Sequence, residues 1–150
     1  MPRHAALDLE HFLPYRLSVL SNRISQAIAT RYARRFGIGV TEWRVIAVLG
    51  RYPDLSANAV AERTAMDKVA DSRAVASLIR DGRLKRRMHG DDRRRSVLAL
   101  SAKGYRIHDE VAPLALRFER ELLSRLDADE RQSLARILER LEAAESAQAG

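Results

Sequence analysis

Residues 56–100 read SANAVAERTAMDKVADSRAVASLIRDGRLKRRMHGDDRRRSVLAL, and this stretch decides the architecture. Ser56 caps a short helix over Ala57–Thr64, with Val60 and Ala61 facing inward. Ala65-Met66-Asp67 turn the chain into a second helix, from Lys68 to about Asp81, closed by Gly82. Two short helices across so tight a turn form a helix-turn-helix. Leu84–Met88 and Ser96–Leu100 then read as strands around a turn at 89–95, where Gly90 and the Asp91-Asp92 pair supply the turn chemistry. A hairpin directly after a helix-turn-helix is the wing of the winged variant, here with an arginine-loaded tip.

Outward from this unit the periodicity is helical. Leu9, Phe12, Leu13, Leu17, Leu20, Ile24, Ile28, Tyr32 and Phe36 recur at three- and four-residue steps, predicting a helix over about 8–36. Pro14 fits only as a kink or in a first turn, and Gly37 and Gly39 stop the helix. Thr41 caps a helix to Gly50 with Trp43, Val45, Ile46 and Leu49 inside. Ser101 caps a long helix to about Leu126, carrying Ile107, Val111, Leu114, Phe118, Leu122 and Leu123. Asp127 and Glu130 have capping-box spacing and open a last helix striped by Leu134, Ile137, Leu138 and Leu141, with fraying expected from Ser146.

The expected fold is mostly α with a small β-hairpin wing. It is one domain over 1–150: a winged helix-turn-helix at about 41–101 between dimerisation helices at about 8–36 and 102–146. The long helices cannot bury their stripes on a unit of roughly 60 residues, so a two-fold homodimer is the economical solution.

Composition narrows the function classes. The 150 residues include no cysteine, which excludes disulfides, thiolate zinc sites and cysteine nucleophiles. No apolar run approaches the ~18 residues of a membrane helix, and the N-terminus lacks a signal-peptide core, so a cytoplasmic protein with no membrane partner is expected. His108-Asp109-Glu110 are consecutive on a helix and face different directions, so they share no site. The four histidines lack the helical zinc spacing, and nucleophile-elbow and phosphate-loop motifs are missing from the sequence. Neither an enzyme, a cofactor nor a metal is expected.

Charge points elsewhere. The chain carries +7 overall, and residues 67–106, with 12 basic and 5 acidic side chains, carry the same surplus, whereas residues 107–150 are net acidic. A field focused in this way suits a polyanion. Of the 27 basic residues 24 are arginine, whose planar fork matches phosphates and guanine edges.

Several stretches carry a family resemblance: Glu42–Leu49, Ala61–Val69, Ser72–Val75, His89–Ser96, and the Ser101-to-Gly104 helix start behind the Asp-Arg-Arg of the wing. Over nearly its whole length the chain resembles the multiple-antibiotic-resistance regulator (MarR) family of bacterial transcription factors. The resemblance implies a homodimer that binds a palindromic operator in double-stranded DNA, usually as a repressor, and is released by a small aromatic or anionic ligand.

With Val75 at the centre of the buried face of the second short helix, Leu78 and Ile79 fall within about 60° of it, while Val69, Ala70, Arg73, Ser77 and Arg80 face outward. Arg73 is the natural base reader, Val69 and Ala70 can meet a thymine methyl, Lys68 and Ser72 flank them toward phosphates, and Ser77 is a further candidate DNA contact. By resemblance the tip arginine, Arg94, enters the minor groove, and Asp92, Arg93 and Arg95 complete the wing contact. Asp71 departs from the pattern, because relatives carry an apolar residue there. It reads either as a base or phosphate discriminator or, preferably, as a semi-buried acid needing an arginine or a helix N-terminus. The family's ligand cleft implies His11, Tyr15, Arg16, Ser21, Trp43, Arg44 and His108 as candidate lining. The alternative is a ligand-independent architectural winged-helix protein. RNA is disfavoured, because its duplex hides the major-groove edges that a recognition helix reads.

Overall fold

The computed structural model describes residues 3–89 and 92–149, and among these the side chains of all but 89 and 92–95. The chain divides after Leu114 into two compact units.

In the first unit a single 3-10 turn, Leu9–His11, precedes α1 (Leu13–Phe36). Pro14 falls in the first turn of α1, where its missing N–H removes no helical bond, so the helix starts five residues later than the periodicity suggested. Gly37 ends it in the left-handed region at φ 64°, its N–H bonded to the Ala33 carbonyl at 2.8 Å. α2 (Val40–Arg51) is capped differently from expectation. Gly39 is the cap residue, and its N–H donates to Glu42 Oε1 at 3.3 Å, while Thr41 lies inside the helix.

α3 (Ala57–Thr64) and α4 (Lys68–Arg80) match the helix-turn-helix reading closely. Ser56 Oγ accepts the Ala59 N–H at 3.1 Å, and Asp67 Oδ1 accepts the Ala70 N–H at 2.8 Å. Between them Ala65, at φ 56°, reverses the chain. Val60 is buried as expected, but Ala61 is only half-buried, and Thr64 takes the second inward position.

β1 (Leu84–His89) and β2 (Asp92–Leu100) pair antiparallel, Leu84 opposite Leu100 and Arg87 opposite Val97. β2 begins at Asp92 rather than Ser96, so the backbone of the arginine run belongs to the strand and not to the loop. Continuing the register would set His89 opposite Arg95, yet its partner is Asp92. Such an irregularity bends and twists a strand locally. At the base of the wing Leu98 N–H donates to the Leu55 carbonyl at 2.7 Å, tying the hairpin to the α2–α3 connection.

The core is assembled from Val45, Ile46 and Leu49 of α2, Val60 of α3, Val75 and Leu78 of α4, Leu98 and Leu100 of β2, and Ile107 and Val111 of α5 (Ala102–Leu123). Ser101 caps α5 as the sequence indicates, its Oγ accepting the Gly104 N–H at 3.1 Å. Gly104 packs so closely that a Cβ there would overlap the Arg83 carbonyl oxygen. Gly104→Ala is therefore expected to destabilise the fold by about 1–3 kcal/mol, as read by chemical denaturation.

In the second unit α5 stops at Leu123, short of the expected Leu126. α6 (Ala128–Ala149) opens with the anticipated capping box: Asp127 Oδ1 accepts from Glu130 N–H at 2.8 Å, and Glu130 Oε1 accepts from Asp127 N–H at 3.0 Å. The helix continues through Ser146 to Ala149, where fraying was expected. It buries none of its residues within this chain.

Candidate nucleic-acid interface

α4 presents two faces. Asp71, Ala74, Val75 and Leu78 are buried, while Lys68, Val69, Ser72, Arg73, Ala76 and Arg80 are exposed and Ala70 is half-exposed. The structure thus brings Lys68, Val69, Ala70, Ser72 and Arg73 onto one accessible strip. Ser77 is set apart from it: half-buried, it donates its hydroxyl to Glu42 Oε2 on α2 at 3.0 Å. Beside α4 runs a groove of about 550 Å³ whose lining includes Asn58, Lys68, Arg80 and Arg86. Arg86, on β1, and Asn58, on α3, were not singled out by sequence periodicity, because only the fold brings their elements alongside α4. The side chains of Asp92, Arg93, Arg94 and Arg95 lie outside the described residues.

Asp71 is only 3% exposed, and among the described residues its partner is neither an arginine nor a helix N-terminus. It is the Thr64 hydroxyl, 3.2 Å from Oδ1. That hydroxyl has one proton and a second acceptor, the Ala61 carbonyl at 3.0 Å, so the carboxylate receives at most part of a hydrogen bond. Burial raises the Asp71 pKa above its ordinary value, and the Thr64 bond offsets only part of this. The raised value makes ionised Asp71 destabilising above its folded pKa, and the penalty fades as pH falls toward the unfolded value of 3.8. Asp71→Val, which leaves Thr64 satisfied by Ala61, is expected to add about 2 kcal/mol at pH 7. This corresponds to a melting temperature higher by about 4–8 °C. The gain should shrink in acid, and an equal gain at every pH would assign the effect to packing alone.

The candidate ligand residues separate into two groups. Trp43 lies with its ring centroid 5.9 Å from Tyr32 and 6.1 Å from His108, and Arg44 Nη2 donates to Ser25 Oγ at 3.2 Å. Tyr32, which the sequence reading placed only in a core stripe, is 1% exposed, and its hydroxyl has no hydrogen-bond partner among the described residues. Its pKa is pushed up to about 12, chiefly by burial, with Arg44 lowering it and the Glu42 carboxylate raising it. Gly50 forms the wall behind His108: a Cβ there would lie 2.5 Å from ring atoms Cδ2 and Nε2. His11, Tyr15, Arg16 and Ser21 do not join this cluster. His11 pairs with Asp8 at 2.8 Å in solvent, and Ser21 is exposed. Tyr15 and Arg16 border a hollow of about 480 Å³ lined wholly by α1 residues, which is a stretch of open helix surface.

Among the described residues no group of three or more His, Asp or Glu side chains is placed to hold a metal, and no helix is long and apolar enough to cross a membrane. A cationic helix-turn-helix with a hairpin wing defines the class: a winged-helix DNA-binding protein. The sequence profile of the MarR family matches residues 36–95. The HTH-type transcriptional regulator BilQ of Clostridium symbiosum is 28% identical over 105 residues, covering 70% of this chain and 73% of that protein. A MarR/EmrR family transcriptional regulator from Acinetobacter sp. ADP1 superposes with a TM-score of 0.84 at 26% identity, over 93% of this chain and 99% of the other. The PcaV transcriptional regulator of Streptomyces coelicolor, solved in complex with its natural ligand, does so with a TM-score of 0.71 at 26% identity, over 94% and 99%. In sequence over residues 36–95, and in fold over most of its length, the chain is similar to winged helix-turn-helix transcriptional regulators of the MarR family, which bind DNA.

Proposed function

We propose that the protein is a homodimeric cytoplasmic repressor of nearby genes, bound to a palindromic operator and released by a small aromatic or anionic ligand. The observation that carries this reading is the exposed strip of α4, with Arg73 at its centre, beside a groove edged by Lys68, Arg80 and Arg86. Arg73 reads a guanine edge in the major groove, Val69 and Ala70 face thymine methyls, and Lys68 and Ser72 hold phosphates. Arg94 enters the minor groove, supported by Asp92, Arg93 and Arg95. The homodimer is supported by the apolar side chains that the chain leaves in solvent, among them Leu17 and Leu20 of α1 and Ile137 and Leu138 of α6.

The ligand reading rests on the Tyr32–Trp43–His108 cluster. A buried phenol with no partner among the described residues, an arginine one turn from the α2 N-terminus and two further rings suit an aromatic ring bearing an anionic group. The complex of PcaV with its natural ligand supports a ligand response in a protein of this shape.

Electrophoretic shift of the DNA beside the protein's own gene, with and without a panel of aromatic acids, tests the reading. A specific shift reversed by one of the acids is expected. A ligand-indifferent shift on every sequence would instead indicate an architectural protein. Arg94→Ala should weaken binding and flatten the slope of log K against log salt by about 2 per dimer, one phosphate equivalent for each wing. An unchanged slope would remove Arg94 from the interface.

A further inference from the structure

One side chain on α2 links the recognition helix to the element that carries Trp43. Glu42 Oε1 accepts the N–H of Gly39, in the joint between α1 and α2, and Oε2 accepts the hydroxyl of Ser77 on α4. On its own helix Glu42 is followed by Trp43 and Arg44, and its charge is felt at the Tyr32 phenol. A second tie joins the same two regions: Arg83, three residues beyond α4, donates through Nη2 to the carbonyl of Phe36, the last residue of α1, at 2.6 Å. Nε and Nη1 of Arg83 are buried without a partner among the described residues, so this tie uses one nitrogen of three.

We propose that Glu42 is a positioning residue that couples the Tyr32–Trp43–Arg44 cluster to the recognition helix through Ser77. The proposal rests on the DNA-binding and ligand readings given above and adds the route between them. Ser77 lies one turn beyond Arg73 on α4, so the Glu42–Ser77 bond fixes the rotation with which Arg73 faces outward. An anion seated at the Tyr32 hydroxyl and Arg44 feels the repulsion of the Glu42 carboxylate and returns it in equal measure. That repulsion weakens the hold of Glu42 on Ser77 and so loosens α4. By reciprocity, DNA bound to α4 changes the surroundings of Trp43.

Trp43 is the sole tryptophan of the chain, which makes it an internal reporter needing no knowledge of the natural ligand. The experiment titrates the full-length protein with a fluorescently labelled duplex that the wild type has selected from a random-sequence library. Anisotropy of the label reads binding, and indole emission reads coupling. In the wild type the two signals should change with one midpoint. Ser77→Ala and Glu42→Ala should each bind the duplex about 5- to 10-fold more weakly and leave Trp43 emission flat at saturation. The double variant should be no weaker than the poorer single variant, because both remove the same link. Ser77→Thr, which keeps the hydroxyl, should restore the emission change. A purely stabilising role for Glu42 would leave the Trp43 response intact in every variant that binds.

Silent Trp43 emission at saturating duplex in the wild type overturns the coupling and leaves the DNA-binding reading standing. A wild-type emission change retained by Ser77→Ala does the same. Failure of the wild type to select or bind any duplex overturns the reading of α4 itself, and the coupling with it.

Discussion

The double variant Ile137→Glu with Leu138→Glu is expected to be a folded monomer that has lost at least about 100-fold in operator affinity. Leu134, Ile137, Leu138 and Leu141 form a stripe on α6, 37–50% exposed in the single chain. At the other end of the sequence Leu9, Leu13, Leu17 and Leu20 are similarly open. Fully burying a leucine or isoleucine yields about 1.5–3 kcal/mol, and Ile137 and Leu138, at 50% and 40% exposure, have about half of that left to gain, so two substitutions in each of two protomers remove roughly 3–6 kcal/mol from association. Burying four carboxylates there would cost more again, and together these exceed what a micromolar dimer can lose. Charging positions that the isolated chain leaves in water costs the monomer little, and circular dichroism should therefore stay helical. Sedimentation equilibrium reads the outcome, and a dimer that survives both charges would locate the interface elsewhere.

Arg73→Ala is expected to weaken binding to the selected duplex by roughly 30-fold or more while changing binding to a scrambled duplex little. A bidentate guanidinium–guanine pair contributes about 1–3 kcal/mol of discrimination, and a two-fold dimer makes it twice. Arg73→Lys should recover only a fraction, since an ammonium cannot offer the paired donors of the fork. Competition titration on both duplexes decides the matter. Equal loss on the two would make Arg73 a phosphate contact, and no loss on either would take it out of the interface.

Legibility in the sequence followed the range of the interaction. Ser56 capping α3, Ser101 capping α5 and the Asp127–Glu130 box are contacts within four residues, written in the residue types themselves. The inward and outward faces of α4 follow from helical rotation alone, which is why Val75 and Leu78 were readable as core and Arg73 as surface. Partnerships across the fold were not readable. Ser77 looks like any outward serine until α2 packs against α4 and offers Glu42, 35 residues away. Asp71 announces a problem by its position, but its partner Thr64 is fixed by the turn at Ala65 and not by charge. Tyr32 has the spacing of a core residue, and only the fold shows that its phenol has no partner among the described residues. The start of β2 is not legible, because a run of arginines resembles a loop, whereas pairing with β1 is decided by backbone bonds.

Gly50 adds no side chain to the aromatic cluster, yet it sets where the imidazole of His108 stands against α2. Any larger residue at that point would overlap the ring and force it from the place it now holds, 6.1 Å from the indole. The pairing of these two rings is thus conditional on a residue that belongs to neither, at a point where a comparison of the aromatic positions alone would detect nothing.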